Sequence, residues 1–238
     1  MLVSPVNLNK INNNNCLNKT EAAFGHGINS KESPYSAKQK AIITATSTLG
    51  VLASIALLAK HAGYSLKPSK MFKNIKKSYL ATADFEAKEV IAMGAGSCLG
   101  GLAGGYIVDK NKDNRRAKRR ETIMQMGNVS IPILTVALLI DKIFKNKSKG
   151  FKAIAGLAGV GIGVALSNII MNKLNNYIFD EGKNDGRKMK VTDFSAHLDD
   201  VVVAAHYISK ADWVHAIGRL VPAALVIPGL EIGHKTAD

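Results

Sequence analysis

Three evenly spaced histidines are the first candidates for chemistry: His197, His206 and His215. Neighbours in this series are nine residues apart, and nine residues turn a helix by about 180°. Successive rings therefore point to opposite sides. His197 and His215 would share a face but lie roughly 27 Å apart along the axis. His197 and Asp200 can meet on one face, yet two ligands are too few to hold a metal ion. Nucleotide chemistry has no better footing. Gly94-Ala95-Gly96 lacks the third glycine of a dinucleotide loop and lies in an apolar run rather than after a strand. The chain has no Gly-Lys-Ser/Thr phosphate loop and no Gly-x-Ser-x-Gly nucleophile turn. The expectation is a protein without metal, cofactor or catalytic residues.

Charge gives a second set of candidates. The 32 Lys and Arg outnumber the 18 Asp and Glu, for a net charge of +14. Lys110, Lys112, Arg115, Arg116, Lys118, Arg119 and Arg120 fall within Asp109–Glu121. Such a run can bind nucleic acid or anionic lipid headgroups. No aromatic residue interleaves it, so base stacking has no platform, and no nucleic-acid partner is expected. Flanked by apolar segments, the run reads as a topogenic loop touching anionic headgroups.

Those apolar segments are the elements that must position everything else. Four windows, 41–59, 90–108, 122–140 and 153–172, contain no Asp, Glu, Lys, Arg or His. As helices they would each span roughly 28–30 Å, the thickness of a bilayer's hydrocarbon core. The fold expected is all-α: a polytopic helical membrane protein with four to five spans and short amphipathic helices. A proton relay has no carrier inside these windows. Asn128 and Thr135 fall seven apart in the third window, on one face, as possible polar lining. Pro132 removes the donor that Asn128's carbonyl would use and predicts a kink.

Small residues dominate the helix faces. Gly96, Gly100 and Gly104 are four apart, as are Ser97, Gly101 and Gly105. Thr46, Gly50 and Ser54 form a similar ridge in the first window, and Ala155, Gly159, Gly163 and Ser167 in the fourth. This spacing resembles the glycine zipper, a device that lets membrane helices approach closely. The second and fourth windows hold ten of the 21 glycines, which makes them the expected closest pair, within one chain or between chains.

The rest divides by composition. Residues 1–38 read as a disordered, polar, Asn-rich tail. Residues 39–173 form the four-helix transmembrane core, with a basic amphipathic helix at Lys70–Leu80 between the first two spans. Residues 174–210 form a polar connection and an acidic amphipathic helix, capped by Thr192 and running through Phe194, Leu198, Val201, Ala205 and Ile208. Residues 211–238 are a fifth hydrophobic segment, spanning or re-entrant, interrupted by Arg219, Pro222, Pro228 and Glu231. Cys16 and Cys98 would lie in different solvents, so no disulfide is expected.

Gly105, Asp109 and Lys110 resemble the start of the loop between helices two and three of major facilitator transporters. The glycine expected after Lys110 is missing, the basic cluster comes later, and the chain has under half the helices. The mitochondrial protein-import channel family likewise has four glycine-rich helices, but its longer signature does not align here. The sequence therefore predicts a small multi-pass integral membrane protein of the bacterial inner (plasma) membrane, structural, scaffolding or assembly in role. Its partners would be the bilayer, anionic headgroups and possibly further copies of itself. The alternatives are a channel lined by Thr46, Ser54, Asn128 or Thr135, and a soluble basic nucleic-acid binder. Basic residues are nearly balanced between the two sides, and the dense 109–121 run favours a cytoplasmic N-terminus.

Overall fold

A computed structural model describes residues 34–65, 87–179 and 220–237. Among these every element is a helix. α1 spans Ala37–His61, α2 Ala87–Val108, α3 Lys112–Ala137, α4 Lys149–Phe179, α5 Val221–Ala224 and α6 Val226–His234. A π-helical turn, Leu138–Ile143, extends α3. α1, α2, α3 with its extension, and α4 are each long and apolar enough to cross a membrane. Several expected features lie outside the described residues: the tail to residue 33, the Lys70–Leu80 helix, the acidic helix, and His197, His206 and His215.

Local chemistry sets the helix ends. Ser36 and Gln39 form a reciprocal capping box at the start of α1, the Ser36 amide donating to Gln39 Oε1 at 2.9 Å. The expected tail therefore ends earlier than residue 38, and Tyr35 is already buried. At the other end of α1, Gly63 takes φ 82° and the Tyr64 amide reaches back to the Ala59 carbonyl at 2.8 Å. A glycine tolerates that left-handed conformation without a Cβ clash. Between α2 and α3 only residues 109–111 are non-helical. Asn111 caps α3, its side-chain oxygen accepting from the Asp113 and Asn114 amides at 2.8 and 3.2 Å.

The expected basic loop is thus mostly helix. Lys112 to Arg120 are the opening turns of α3. A scan for apolar windows ends at charge, whereas the helix starts at its cap.

α1 packs on α2, α3 on α4, and α6 lies against α2, α1 and α3. The second and fourth windows are therefore not the closest pair within the chain. Each has its small-residue face taken by another helix. One apolar cluster joins four helices through Val51, Ile55, Val90, Met93, Ile133, Val221 and Leu225. A second, Val136, Ile140, Val160 and Val164, joins α3 to α4.

The described part of the fifth segment is short. Val221 to His234 would extend about 21 Å as a helix. Pro228 has no amide hydrogen to pair with the Ala224 carbonyl, and the helix breaks at Leu225 and restarts as α6.

Candidate functional site

The polarity of the bundle is inverted. Leu57 and Ile154 are 69% and 68% exposed, and Leu49, Leu99, Ile107 and Ile169 are also exposed. The interior of the described residues holds, beside its aliphatic clusters, glycines and polar side chains. Lys118, Glu121, Gln125 and Asn128 are all at most 4% exposed. Spacings of three, four and three residues place these four on one stripe of α3. Ser47, Ser97 and Ser167 are fully buried from other helices.

The stripe begins in a polar clasp where α1 starts and α2 ends. Lys118 Nζ donates to the Tyr35 hydroxyl at 2.7 Å and to the Lys235 carbonyl at 2.5 Å, and pairs with Asp109 Oδ2 at 3.4 Å. The Tyr35 hydroxyl donates to Asp109 Oδ2 at 2.5 Å, and Asn114 Nδ2 donates to the same oxygen at 2.8 Å. The Asn111 amide donates to Asp109 Oδ1 at 2.9 Å. Burial alone would raise the Asp109 pKa. The hydrogen bonds from Tyr35, Asn111 and Asn114 and the Lys118 charge outweigh it, so the carboxyl titrates below the usual range. Burial first, then the hydrogen bond to Asp109, pushes the Tyr35 phenol well above its usual value.

One turn further along, Gln125 Nε2 donates to Glu121 Oε1 at 2.8 Å and to Glu231 Oε2 at 2.5 Å. Carboxylates therefore do reach the bundle interior, Glu121 buried and Glu231 half-buried. They come from just beyond the third window and from α6, which is why a scan of the windows showed no ionisable carrier. Asn128 Oδ1 then accepts from Ser167 Oγ at 2.8 Å, joining α3 to α4. Thr135, expected beside Asn128, instead bonds the Ile131 carbonyl of its own helix at 2.8 Å.

The small-residue ridges find separate partners. Gly96, Gly100 and Gly104 face Thr46, Gly50 and Ser54 of α1; a methyl group at Gly100 would lie 2.9 Å from the Thr46 carbonyl carbon. Ser97, Gly101 and Gly105 face α6. The Ser97 hydroxyl donates to the Val226 carbonyl at 3.2 Å and accepts from the Gly229 amide at 3.1 Å. A methyl group at Gly101 would lie 2.6 Å from Gly229 Cα, and one at Gly105 2.8 Å from Lys118 Cδ. On α4, Ala155 is buried, Gly163 abuts Pro132 and Gly159 abuts Val136.

The basic residues split by role. Lys118 does not reach a headgroup: it is fully buried, and its ammonium is held by the clasp. Arg115 donates to the Asp109 and Tyr106 carbonyls, both at 3.0 Å, satisfying the C-terminus of α2. Arg116 donates to the Phe179 carbonyl at 2.6 Å at the end of α4. Arg116 and Arg119 both lie over the Phe179 ring. Lys110, Lys112, Arg116 and Arg119 are exposed, and Arg120 is half-buried.

Sequence reasoning missed Tyr35, Asp109, Glu121, Gln125 and Glu231. The signals present were the Glu121/Gln125 spacing of four and the matching Gly229/Gly233 spacing in α6. Among the described residues no three His, Cys, Asp or Glu side chains form a metal-binding group. The chain matches no known family model, no curated protein and no solved structure. The class in view is thus an all-helical protein with four apolar helices of membrane-spanning length.

Proposed function

We propose that this chain is an integral membrane protein with a structural or assembly role, acting through close, glycine-zipper packing of its helices. The inverted polarity carries the reading: exposed Leu and Ile outside, Lys, Glu, Gln and Asn inside. Water would impose the opposite arrangement, since charged residues are almost never fully buried in soluble proteins. In lipid the polar groups belong inside, bonded to one another. Helical spans with no strand alternation fit a bacterial inner (plasma) membrane rather than an outer-membrane barrel. Headgroup contact falls to the exposed Lys110, Lys112, Arg116 and Arg119. A homo-oligomer would form through lipid-facing helix surfaces.

Alkaline carbonate extraction tests this reading. The tagged chain should stay in the pellet and need detergent for release. Appearance in the supernatant would refute membrane residence and return the +14 charge to the role of a surface for anionic partners. A second reading, a channel or permeability protein, is favoured by the buried polar stripe on α3. Against it, the stripe's known hydrogen bonds run between protein groups. Ion flux in liposomes separates the two.

A further inference from the structure

The slot that holds the C-terminal segment differs from the other helix interfaces. Its walls are α1, α2 and α3, and they meet the segment through polar groups. Ser97 bonds Val226 and Gly229, Gln125 bonds Glu231, Lys118 bonds the Lys235 carbonyl, and Asn114 Oδ1 accepts from the Ala237 amide at 2.9 Å. Three further wall contacts are glycine against glycine or against aliphatic carbon: Gly101 on Gly229, and Gly105 and Ile43 on Gly233. The glycine-on-glycine contacts present no side chain to block movement along the helix axis, and the Ile43 side chain against Gly233 is the knob that must be passed. Apolar packing holds the beginning of the segment through Val221 and Leu225, with Val226 beside them, and Ile232 is fully buried further along α6. The helix breaks at Leu225, between Pro222 and Pro228, and such breaks serve as hinges.

We propose that Val226–Ala237 is a plug that pivots at Leu225, and that its withdrawal opens a water-filled cavity reaching Ser97 from the Tyr35 end. The chemistry of the walls decides what enters. Vacated, Ser97, Lys118 and Gln125 each lose a hydrogen-bond partner. Hydrocarbon leaves such groups unpaired and water does not, so water, not lipid, fills the slot. The clasp around Lys118 sets how often it opens, because Lys118 holds the last turn of the plug to Tyr35 and Asp109. The cavity accepts water and small polar solutes. The inference rests on the membrane reading above, and carbonate extraction tests that reading separately.

The test is thiol accessibility in the full-length chain, reconstituted in liposomes. Cys16 and Cys98 are replaced by Ser, and Ser97→Cys places one thiol under the plug. The probe is a charged, membrane-impermeant methanethiosulfonate. A second pair, Asn114→Cys with Ala237→Cys, forms a disulfide that locks the plug before labelling. Oxidising this lock is expected to slow labelling of residue 97 about tenfold or more, the scale of losing access to a state controlled by charge-assisted hydrogen bonds. Adding Lys118→Met to the unlocked chain is expected to speed labelling by a similar factor. Equal labelling with the lock open and closed overturns the plug. So does a thiol that stays unreactive in the unlocked chain. If Lys118→Met fails to fold, the lock comparison decides alone.

Discussion

Gly100 offers a direct measure of how closely α1 and α2 approach. A methyl group there would lie 2.9 Å from the Thr46 carbonyl carbon and 3.1 Å from Ser47 Cα. Both are backbone atoms, with no rotamer to yield. The Thr46 carbonyl oxygen lies nearer still, and ordinary heavy-atom contact is about 3.5–4.0 Å, so the helices must part by roughly an ångström, forfeiting up to about half of each dispersion contact across the interface. Overpacking of this kind costs about 1–3 kcal/mol. Alanine's better helix propensity returns up to about 1 kcal/mol. Gly100→Ala should therefore lose roughly 0–2 kcal/mol, and Gly100→Leu about 3 kcal/mol or more, because its further carbons have no space. Two substitutions serve as controls. No atom lies within 4 Å of a Cβ added at Gly161, so Gly161→Ala keeps the propensity gain of up to about 1 kcal/mol. Leu99 is 61% exposed, so Leu99→Ala should change stability by only about 0.5 kcal/mol. Thermal melting of purified protein in a mild detergent ranks the four. If Gly100→Leu melts with Leu99→Ala, or Gly161→Ala falls with Gly100→Ala, the close-approach argument is wrong.

The clasp predicts two pH limits. Asp109 titrates below its ordinary value in the folded state, so its stabilisation is present above about pH 4 and disappears as pH falls through the depressed value. Asp109→Asn should flatten that acid limb in a melting series. Tyr35 titrates above its ordinary value, so its contribution is complete below about pH 10 and disappears as pH rises through the raised value. Absorbance titration of phenolate should show one late-ionising tyrosine that Tyr35→Phe removes. Between α3 and α4, Ser167→Ala should cost about 0.6–1 kcal/mol in detergent unfolding. Thr135→Val should be near neutral, because its hydroxyl bonds only its own helix. The reverse order would favour a polar-lined cavity at Thr135.

Helix positions were legible because length and apolarity are local properties. The four windows sit inside α1, α2, the extended α3 and α4. What lies beyond them was hidden by the same logic. Lys118 carries a charge, and a window scan ends at charge, yet folding brings Tyr35, Asp109 and the Lys235 carbonyl around it. The ridges were legible as ridges but not as pairs. A glycine face states that something comes close and says nothing of what. Gly163 therefore met Pro132 on α3 instead of a glycine on α2. The α6 face was obscured because Arg219 and Glu231 interrupt its apolar run, while Gly229 and Gly233 are too few to mark a ridge alone.

The Lys118–Lys235 bond joins positions 117 residues apart. At ribosomal rates of about 5–20 residues per second, that separation takes on the order of ten seconds to synthesise. The opening turns of α3 emerge long before the carbonyl that completes their surroundings exists. If the apolar helices insert as they emerge, they do so in an unfinished state, with the Lys118 ammonium partnered only by Tyr35 and Asp109. On that reading assembly has two stages, and arrival of α6 closes the bundle. A chain cut before α6 would leave that seat open, with the Lys118 ammonium lacking the Lys235 carbonyl.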